Sequence, residues 1–512
     1  MHRLNWKYRR AIVIATVVLN CSAAHTKPQS LRDFDPVIVD CAVSIDSRKC
    51  QGRSLAAYYS NRAVAYRMKG DNDRAIAELN KAIRIDPKLG MAFNNRGAAY
   101  NEKGDNDRAI ADYNQAIRID PNFAMAFSNR GNAYSDMGDH ERAIADYDKA
   151  ILIDPHFATA LQNRGSAYNI KGDFDRAITD YTAAIRLNPE HAKTYLGRGI
   201  TNSAKGDNDR ALADFSESIR LDPTRAGTFN KRGDVYRETG RYERALTDYS
   251  DAIRLNPESA STFEKRGMVY IEKGDNDRAI ADYDMAIRID AKNVDALISR
   301  GVAYRAKGDL DRADADSKEA LRLEPTSVRA IIGRGHMFNA RGEFERAIAD
   351  YDQAMQLDPK SSLAYFARAR THLFAGSIDK ALPDFQQANV HSPQNAYFAL
   401  WVDMVRRRNN LPSNLAQTSA QIDMHVWPAP VMKLFMNQTT SAALFAAADD
   451  PDAIKKKGQI CEANFYSGEL SLTKGLKDDA IRFFRLAASD CSHSFNEWDA
   501  AVAELKLLGV VL

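Results

Sequence analysis

GMAFNNRGAAYNEKGDNDRAIADYNQAIRIDPNF at residues 90–123 is followed by AMAFSNRGNAYSDMGDHERAIADYDKAILIDPHF at residues 124–157. Both stretches place Gly, Ala, Tyr and Pro at the same internal positions, so one structural unit has been written twice. Reading outward, the unit-ending dipeptides are Asp86-Pro87, Asp120-Pro121, Asp154-Pro155, Asn188-Pro189, Asp222-Pro223, Asn256-Pro257, Asp290-Ala291, Glu324-Pro325, Asp358-Pro359 and Ser392-Pro393, every step 34 residues. Glycines from Gly70 through Gly104 and Gly138 to Gly376 keep the same period. Each follows one helical pattern and precedes another, where a residue able to take the left-handed conformation closes a helix. Each unit is therefore a helical hairpin whose second helix ends at Pro.

With Ala56–Leu89 as the first unit, the second shows Phe93, Gly97, Tyr100, Gly104, Ala109, Tyr113, Ala116 and Pro121 at signature offsets. On these residues the chain resembles the tetratricopeptide repeat (TPR) family. The resemblance implies an all-α fold, a right-handed α-solenoid, over ten units at residues 56–395. Small residues such as Gly97, Ala109 and Ala116 let helices approach, while Tyr100 and Tyr113 fill the gaps.

Residues 396–460 carry no 34-residue register. Tyr397–Arg408 reads as a helix, 409–419 as a polar connection with Pro412, and 428–448 as two short helices. An eleventh hairpin follows at Cys461–Ser494, with Gly468, Gly475, Ala480, Phe484 and Ala487 at matching offsets. A capping-box pattern at Ser494-Phe495-Asn496-Glu497 then opens an apolar stripe of Trp498, Ala501, Val502, Leu505 and Leu508, expected to cap the open end of the solenoid within residues 461–512.

From Tyr397 onward the order of features is similar to the C-terminal part of NlpI-type bacterial envelope lipoproteins: Leu400-Trp401, the helix around Leu434, Asn464-Phe465-Tyr466, Gly468, Phe484, Leu486-Ala487, Phe495, Glu497 and Glu504-Leu505. That resemblance implies an adaptor that presents peptidoglycan hydrolases or a protease to their substrates. The repeat array is longer here, which limits the transfer.

The 512 residues carry 71 bases, 68 acids, 45% apolar residues, 27 Gly and 16 Pro. This composition excludes collagen, a mucin-like stalk, a mainly disordered chain and a polytopic membrane protein. The first ten residues hold Arg3, Lys7, Arg9 and Arg10 without an acid, and an apolar run follows at residues 11–19, broken only by Thr16. Residues 1–24 therefore read as a signal peptide, since so short a run is unable to span a bilayer. Two cleavage readings compete. Ser22-Ala23-Ala24 offers small residues to signal peptidase I, whereas Val18-Leu19-Asn20-Cys21 resembles a lipobox in which Cys21 would be acylated and attach the chain to a membrane, although Asn20 departs from it. Loss of the four leader bases leaves 67 against 68 acids. The basic pI near 8.4 thus belongs to the leader, and no field remains to attract nucleic acid. The expected location is the periplasm.

Four cysteines remain: Cys41, Cys50, Cys461 and Cys491. An even count in an exported chain argues for disulfides. Proximity favours Cys41 with Cys50 in the segment 25–55. Cys461 and Cys491 stand equidistant from the turn at Gly475, at one height in an antiparallel hairpin.

Arg62, Arg96, Arg130 and their successors to Arg368 recur just before the small residue of the first helix, and an acid recurs 16 residues later, from Glu78 and Asp112 to Asp384. Bases and acids match in number, which favours structural ion pairs over an arginine ladder for an acidic ligand. The resemblance places the inner face of the array on the first helices. There the early groove is polar: Asn94, Ser128, Asn132, Ser135, Gln162, Ser166 and Asn169. The late groove is apolar with arginines: Ile298, Val302, Arg305, Ile332, His336, Leu363, Phe366, Arg370 and Phe374. It reads either as a protein-binding groove for an extended or helical peptide of an envelope protein, or as core beneath the folded-back segment 396–460.

One unit is weak. Ala291 replaces the terminal Pro, and Asp314 and Ser317 stand where other units have an aliphatic and an aromatic residue, which should loosen the seventh unit from the eighth as a hinge. Arg406-Arg407-Arg408 reads as a solvated helix end rather than a membrane site. The sequence holds no HExxH pair, clustered Cys/His zinc ligands, GxSxG elbow or Walker loop. No enzyme, cofactor or metal is expected, and the function read from the chain is a scaffold or adaptor. The alternative is a structural assembly factor of an envelope secretion or polysaccharide-export complex.

Overall fold

The computed structural model describes residues 51–491 and 496–510. The leader, Cys21, Cys41 and Cys50 lie outside the described residues. Among those described, the chain is all-α, and it divides into two compact units, one ending at Arg241 and the other starting at Tyr242.

In the first unit, A helices such as Gly90–Glu102, Ala124–Asp136 and Ala158–Ile170 alternate with B helices such as Asn106–Ile119, His140–Ile153 and Phe174–Leu187. The local causes repeat. Gly104 takes φ 79° after the A helix, and the next residue, Asp105, accepts a hydrogen bond from the backbone N–H of Arg108 at 3.1 Å, capping the B helix. The hairpin closes where a glycine meets a ring: a Cβ on Gly97 would stand 2.8 Å from Tyr113 Cε1. Only glycine admits that approach, and Tyr113 is buried by it.

The second unit continues the pattern through Asn276–Ile289, Val294–Ala306, Leu310–Leu323, Val328–Ala340, Phe344–Leu357, Ser362–Phe374 and Ile378–His391. The next helix, Ala396–Arg408, starts 34 residues after Ser362. The expected loss of register at 396 is thereby corrected: this is one more A helix, and the break comes only where its B helix should follow. There the chain makes the short helices Leu415–Thr418, Ala429–Phe435 and Ser441–Ala447, then the long helix Ala453–Thr473, its partner Lys477–Asp490 and the terminal helix Asn496–Leu507. Leu400, Trp401, Leu434, Phe465, Tyr466, Phe484 and Leu505 share one buried core.

The weak unit keeps its helices. Lys292 N–H still bonds the Asp290 side chain at 3.0 Å at the turn lacking Pro, and Lys318 pairs with Asp314 at 2.8 Å. Beside Ser317 the first helices of the eighth and ninth units, Val294–Ala306 and Val328–Ala340, pack directly on one another.

Candidate functional site

The late groove is built from three A helices in which i, i+4 and i+7 positions share a face: Ile298, Val302 and Arg305 on Val294–Ala306; Ile332 and His336 on Val328–Ala340; Leu363, Phe366, Arg370 and Phe374 on Ser362–Phe374. The nine do not form one open surface. Leu363 is 61% exposed, whereas Ile332, Phe366 and Arg370 are buried and the others are half-buried. Phe366 belongs to the core, its ring 4.9 Å from Phe398 and 5.6 Å from Trp401. Arg370 lies over Phe374 at 5.2 Å and over Trp401 at 5.9 Å.

Two elements cover the groove, and most of the 396–460 segment is not among them. Its first helix covers Phe366, and the terminal helix brings Asp499 to 3.4 Å from Arg370 and 3.8 Å from Arg305. That helix is thus more than an end cap: it packs on Ser362–Phe374 as well as on the last hairpin. Between the arginines sits His336, whose Nδ1 lies 3.0 Å from Tyr351 Oη. Burial, with Arg305 and Arg370 nearby, pushes its pKa down to about 3, so the ring stays neutral. Asp499 was not legible as a groove residue, because it stands off the apolar stripe of its helix.

Behind the groove, Glu462 accepts hydrogen bonds from Trp427 Nε1 at 2.8 Å and Tyr397 Oη at 3.0 Å. Glu497 accepts one from Tyr466 Oη at 3.4 Å. Burial and the neighbouring Glu497 push Glu462 up to about 8, and burial raises Glu497 as well.

The early groove, in the first unit, spends its polar side chains on itself. Asn129 donates to Asn94 Oδ1 at 3.0 Å, Asn163 to Asn132 at 2.8 Å, Thr194 to Gln162 at 3.2 Å and Thr201 to Asn169 at 2.9 Å. Asn94 and Ser128 are buried. Ser135 meets His140 Nδ1 at 3.5 Å, and Ser166 stays exposed.

The recurring arginines are structural. Arg96 donates to both carboxylate oxygens of Asp112 at 2.7 Å and reaches back to Asn80, while Arg300 binds Asp316 and reaches back to Asp284. These guanidiniums tie their own hairpin to the preceding B helix, and Arg62 and Arg334 likewise bind their own acids, Glu78 and Asp350, which occupies the donors an acidic ligand would need. The Arg406-Arg407-Arg408 run corrects the sequence reading. Arg406 donates to Pro412 O at 2.8 Å, Arg407 to Asp403 at 2.7 Å, and the largely buried Arg408 to Glu469 and Glu504. Cys461 and Cys491 are joined, with Cα atoms 5.0 Å apart, across the open end of the last hairpin. Among the described residues, no group of three or more His, Cys, Asp or Glu converges to hold a metal ion, and no helix is long and apolar enough to cross a membrane.

Family sequence patterns match along the array. "TPR repeat" matches residues 63–104, 97–138 and 335–373, and "Tetratricopeptide repeat" matches 124–157, 158–191, 230–294 and 265–328. Solved structures similar to this chain include a tetratricopeptide repeat protein from Parabacteroides merdae, 21% identical over 48% of this chain and 98% of that one, with TM-score 0.38. MamA protein is 30% identical over 34% of this chain and 94% of its own, with TM-score 0.32. YrrB, described as a TPR protein with an unusual peptide-binding site, is 24% identical over 37% of this chain and 97% of its own, with TM-score 0.32.

Proposed function

Because this chain belongs to the tetratricopeptide repeat family, whose members generally mediate protein–protein interactions, we propose that it is a non-catalytic adaptor holding proteins of the bacterial envelope. The observation that carries this reading is the convergence of Arg305, His336 and Arg370 beside the exposed Leu363 on consecutive A helices. An exposed apolar residue near the half-buried Arg305 has the composition of an interface centre, where apolar anchors give affinity and arginine gives orientation.

Two features support export. The N-terminal basic and apolar pattern is that of a signal peptide, and the Cys461–Cys491 bridge fits an oxidising compartment. Membrane attachment through Cys21 and presentation of peptidoglycan hydrolases or a protease, as the NlpI-type resemblance implies, belong to the same proposal. The shared core of Leu400, Trp401, Leu434, Phe465, Tyr466 and Phe484 supports that resemblance.

A photo-crosslinking residue at Leu363, activated in cells and followed by mass spectrometry, tests the reading. Substoichiometric adducts with soluble envelope enzymes are expected. Stoichiometric adducts with membrane channel subunits would replace the adaptor by an assembly factor, and adducts with cytosolic proteins alone would overturn the proposal.

A further inference from the structure

Near the end of the A helices a tyrosine ring is covered by an arginine from the first turn of the B helix that follows. Arg108, Arg142 and Arg176 lie over Tyr100, Tyr134 and Tyr168 at 4.6, 4.5 and 4.7 Å, and Arg278 and Arg312 lie over Tyr270 and Tyr304 at 4.6 and 4.5 Å. The ring also packs against the preceding B helix: Tyr304 shares a hydrophobic cluster with Ile280, and Tyr236 shares one with Leu212. The fifth unit keeps both walls and omits the ring. Asn202 stands where Tyr168 and Tyr236 stand, Ile178 corresponds to Leu212 and Ile280, and Arg210 corresponds to Arg176 and Arg312. Asn202 does not fill the space in the ring's stead, since it is buried and donates to Asp214 Oδ2 at 3.0 Å. Arg210 is slack as a result. Its side chain is 76% exposed and its Nε stands 3.3 Å from Asp207, whereas Arg142, which has a ring beneath it, is 62% exposed and holds Asp139 at 2.5 Å.

The vacancy is roomy and open to solvent. A cleft of about 640 Å³ is lined among others by Ile178, Asn202, Arg210 and Thr239. The matching turns of the second and third units carry clefts of about 450 Å³ and about 470 Å³, whose linings include neither Tyr100 or Tyr134 nor the isoleucine of the preceding B helix. The extra room of the fifth unit therefore lies where the ring is missing. Thr239 opens the mouth further: at its position Lys205 and Lys307 reach back to Asp175 and Asp277 of the preceding B helix, and threonine is too short to do so. We infer that this cleft docks a tyrosine side chain presented by a partner protein, with the ring between Ile178 and the guanidinium of Arg210 and the hydroxyl in water at the rim. Three observations fix that occupant. The chain itself sets a tyrosine between these walls in other units. The exposed cation of Arg210 complements the negative face of an aromatic ring, which an aliphatic side chain lacks. Asp207 and Asn208 make the rim polar, which suits the hydroxyl. The cleft lies wholly in the first compact unit, so it is a second binding surface that does not depend on the late groove.

The test uses the full chain with ¹³C-methyl isoleucine, the Ile178 signal assigned by Ile178→Val, titrated with N-acetyl-tyrosine amide and, as the aliphatic control, N-acetyl-leucine amide. A saturable upfield shift of the Ile178 δ-methyl is expected with the tyrosine probe, from the ring lying against it, and none with the leucine probe. Arg210→Ser removes one wall at an exposed position and should weaken binding about threefold. Asn202→Tyr supplies the ring from the A helix itself, so it should raise the melting temperature and erase the shift. No saturable shift in the wild type, equal binding of the leucine probe, or binding unchanged by Arg210→Ser overturns the docking site, and these three decide the matter should Asn202→Tyr fail to fold. A shift that persists in a folded Asn202→Tyr places the probe elsewhere and overturns the site as well. The readout lies in the first compact unit, so its failure leaves Leu363 cross-links standing, and absence of those cross-links leaves it untouched.

Discussion

Within the second compact unit, the repeats and the C-terminal module bury charge by opposite means. In the repeats every buried acid has its own arginine 16 residues away: Arg266 with Asp282, Arg300 with Asp316, Arg334 with Asp350, Arg368 with Asp384. In the module one base serves two acids brought from far along the chain, Arg408 binding Glu469 and Glu504 across sequence separations of 61 and 96. The repeats are thus a sum of neighbour contacts, in which damage stays local. The module is a closed network, in which removal of one member exposes several others. This difference also explains why the groove ends where it does: the terminal helix is held by the module and lends Asp499 to the last A helices.

The sharpest way to break the comparison is Arg408→Met. Two carboxylates would remain buried with no base between them, and a loss of about 4 kcal/mol is expected. Hydrogen exchange should rise together over residues 396–408, 453–473 and 496–507. Arg334→Met, which strands only Asp350, should cost about 3 kcal/mol, with faster exchange confined to the ninth unit and its neighbours. Loosening that spreads equally from both substitutions would mean that the array and the module are one cooperative body. Next in size is the disulfide: replacing Cys461 and Cys491 by Ser frees a 30-residue loop and should cost about 3 kcal/mol in urea melts, felt in the module and not in the repeats.

The same difference governs what is legible in the sequence. Local rules write the repeats, so a Gly after each A helix, a Pro after every B helix but the seventh and an acid 16 residues from each Arg disclose the hairpins and their ion pairs. The helix Ala396–Arg408 escaped, although its spacing is right, because Val402 stands where each repeat has Arg and Asp403 where it has a small residue, Gly or Ala. With the small residue gone there is no seat for a ring, and the chain leaves the pattern at Pro412. Arg408 read as solvated because its partners lie too far along the chain for any local pattern. Of the groove, the residue types were legible and their partition was not: Phe366 goes to the core and Leu363 to the surface according to what Trp401, Phe398 and the terminal helix cover.

A comparison inside the repeats should give the third effect. A Cβ on Gly335 would stand 2.5 Å from Tyr351 Cε1, within a buried ring that is unable to retreat. Gly335→Ala should therefore cost about 2 kcal/mol through overpacking. Gly301→Ala makes only ordinary contacts, with Ala313 O at 3.5 Å and Asp316 Cβ at 3.6 Å, and its effect should stay within about 0.5 kcal/mol because alanine is also the better helix former. Equal losses in thermal melts would show that the ring against Gly335 does not decide the difference.

The smallest expected effect is on pH, and it separates the two regions again. The buried Asp282, Asp316, Asp350 and Asp384 of the repeats each have an arginine, but Glu462 is bonded to Trp427 and Tyr397 and sits near Glu497, and burial holds its pKa at about 8. The folded protein thus binds a proton that the unfolded chain has released above the usual glutamate range near 4.5. The sign follows from that excess: this stability is present at low pH and is lost as pH rises through the folded pKa, about 1.4 kcal/mol of it between pH 7 and 9. Arg370 opposes the trend by favouring the ionised form of Glu497, while burial raises Glu469 to about 8 as well, so Glu462 and Glu469 lose stability in the same window. His336 acts in the other direction and in another window, its lowered pKa costing stability only as pH falls below about 6.5. Glu462→Gln keeps an acceptor for the tyrosine and tryptophan but has no proton to lose, so urea melts of this variant should decline less between pH 7 and 9 than those of the wild type, the remainder belonging to Glu469. A wild type that is itself flat there would place a positive charge beside Glu462 and make the module as evenly paired as the repeats.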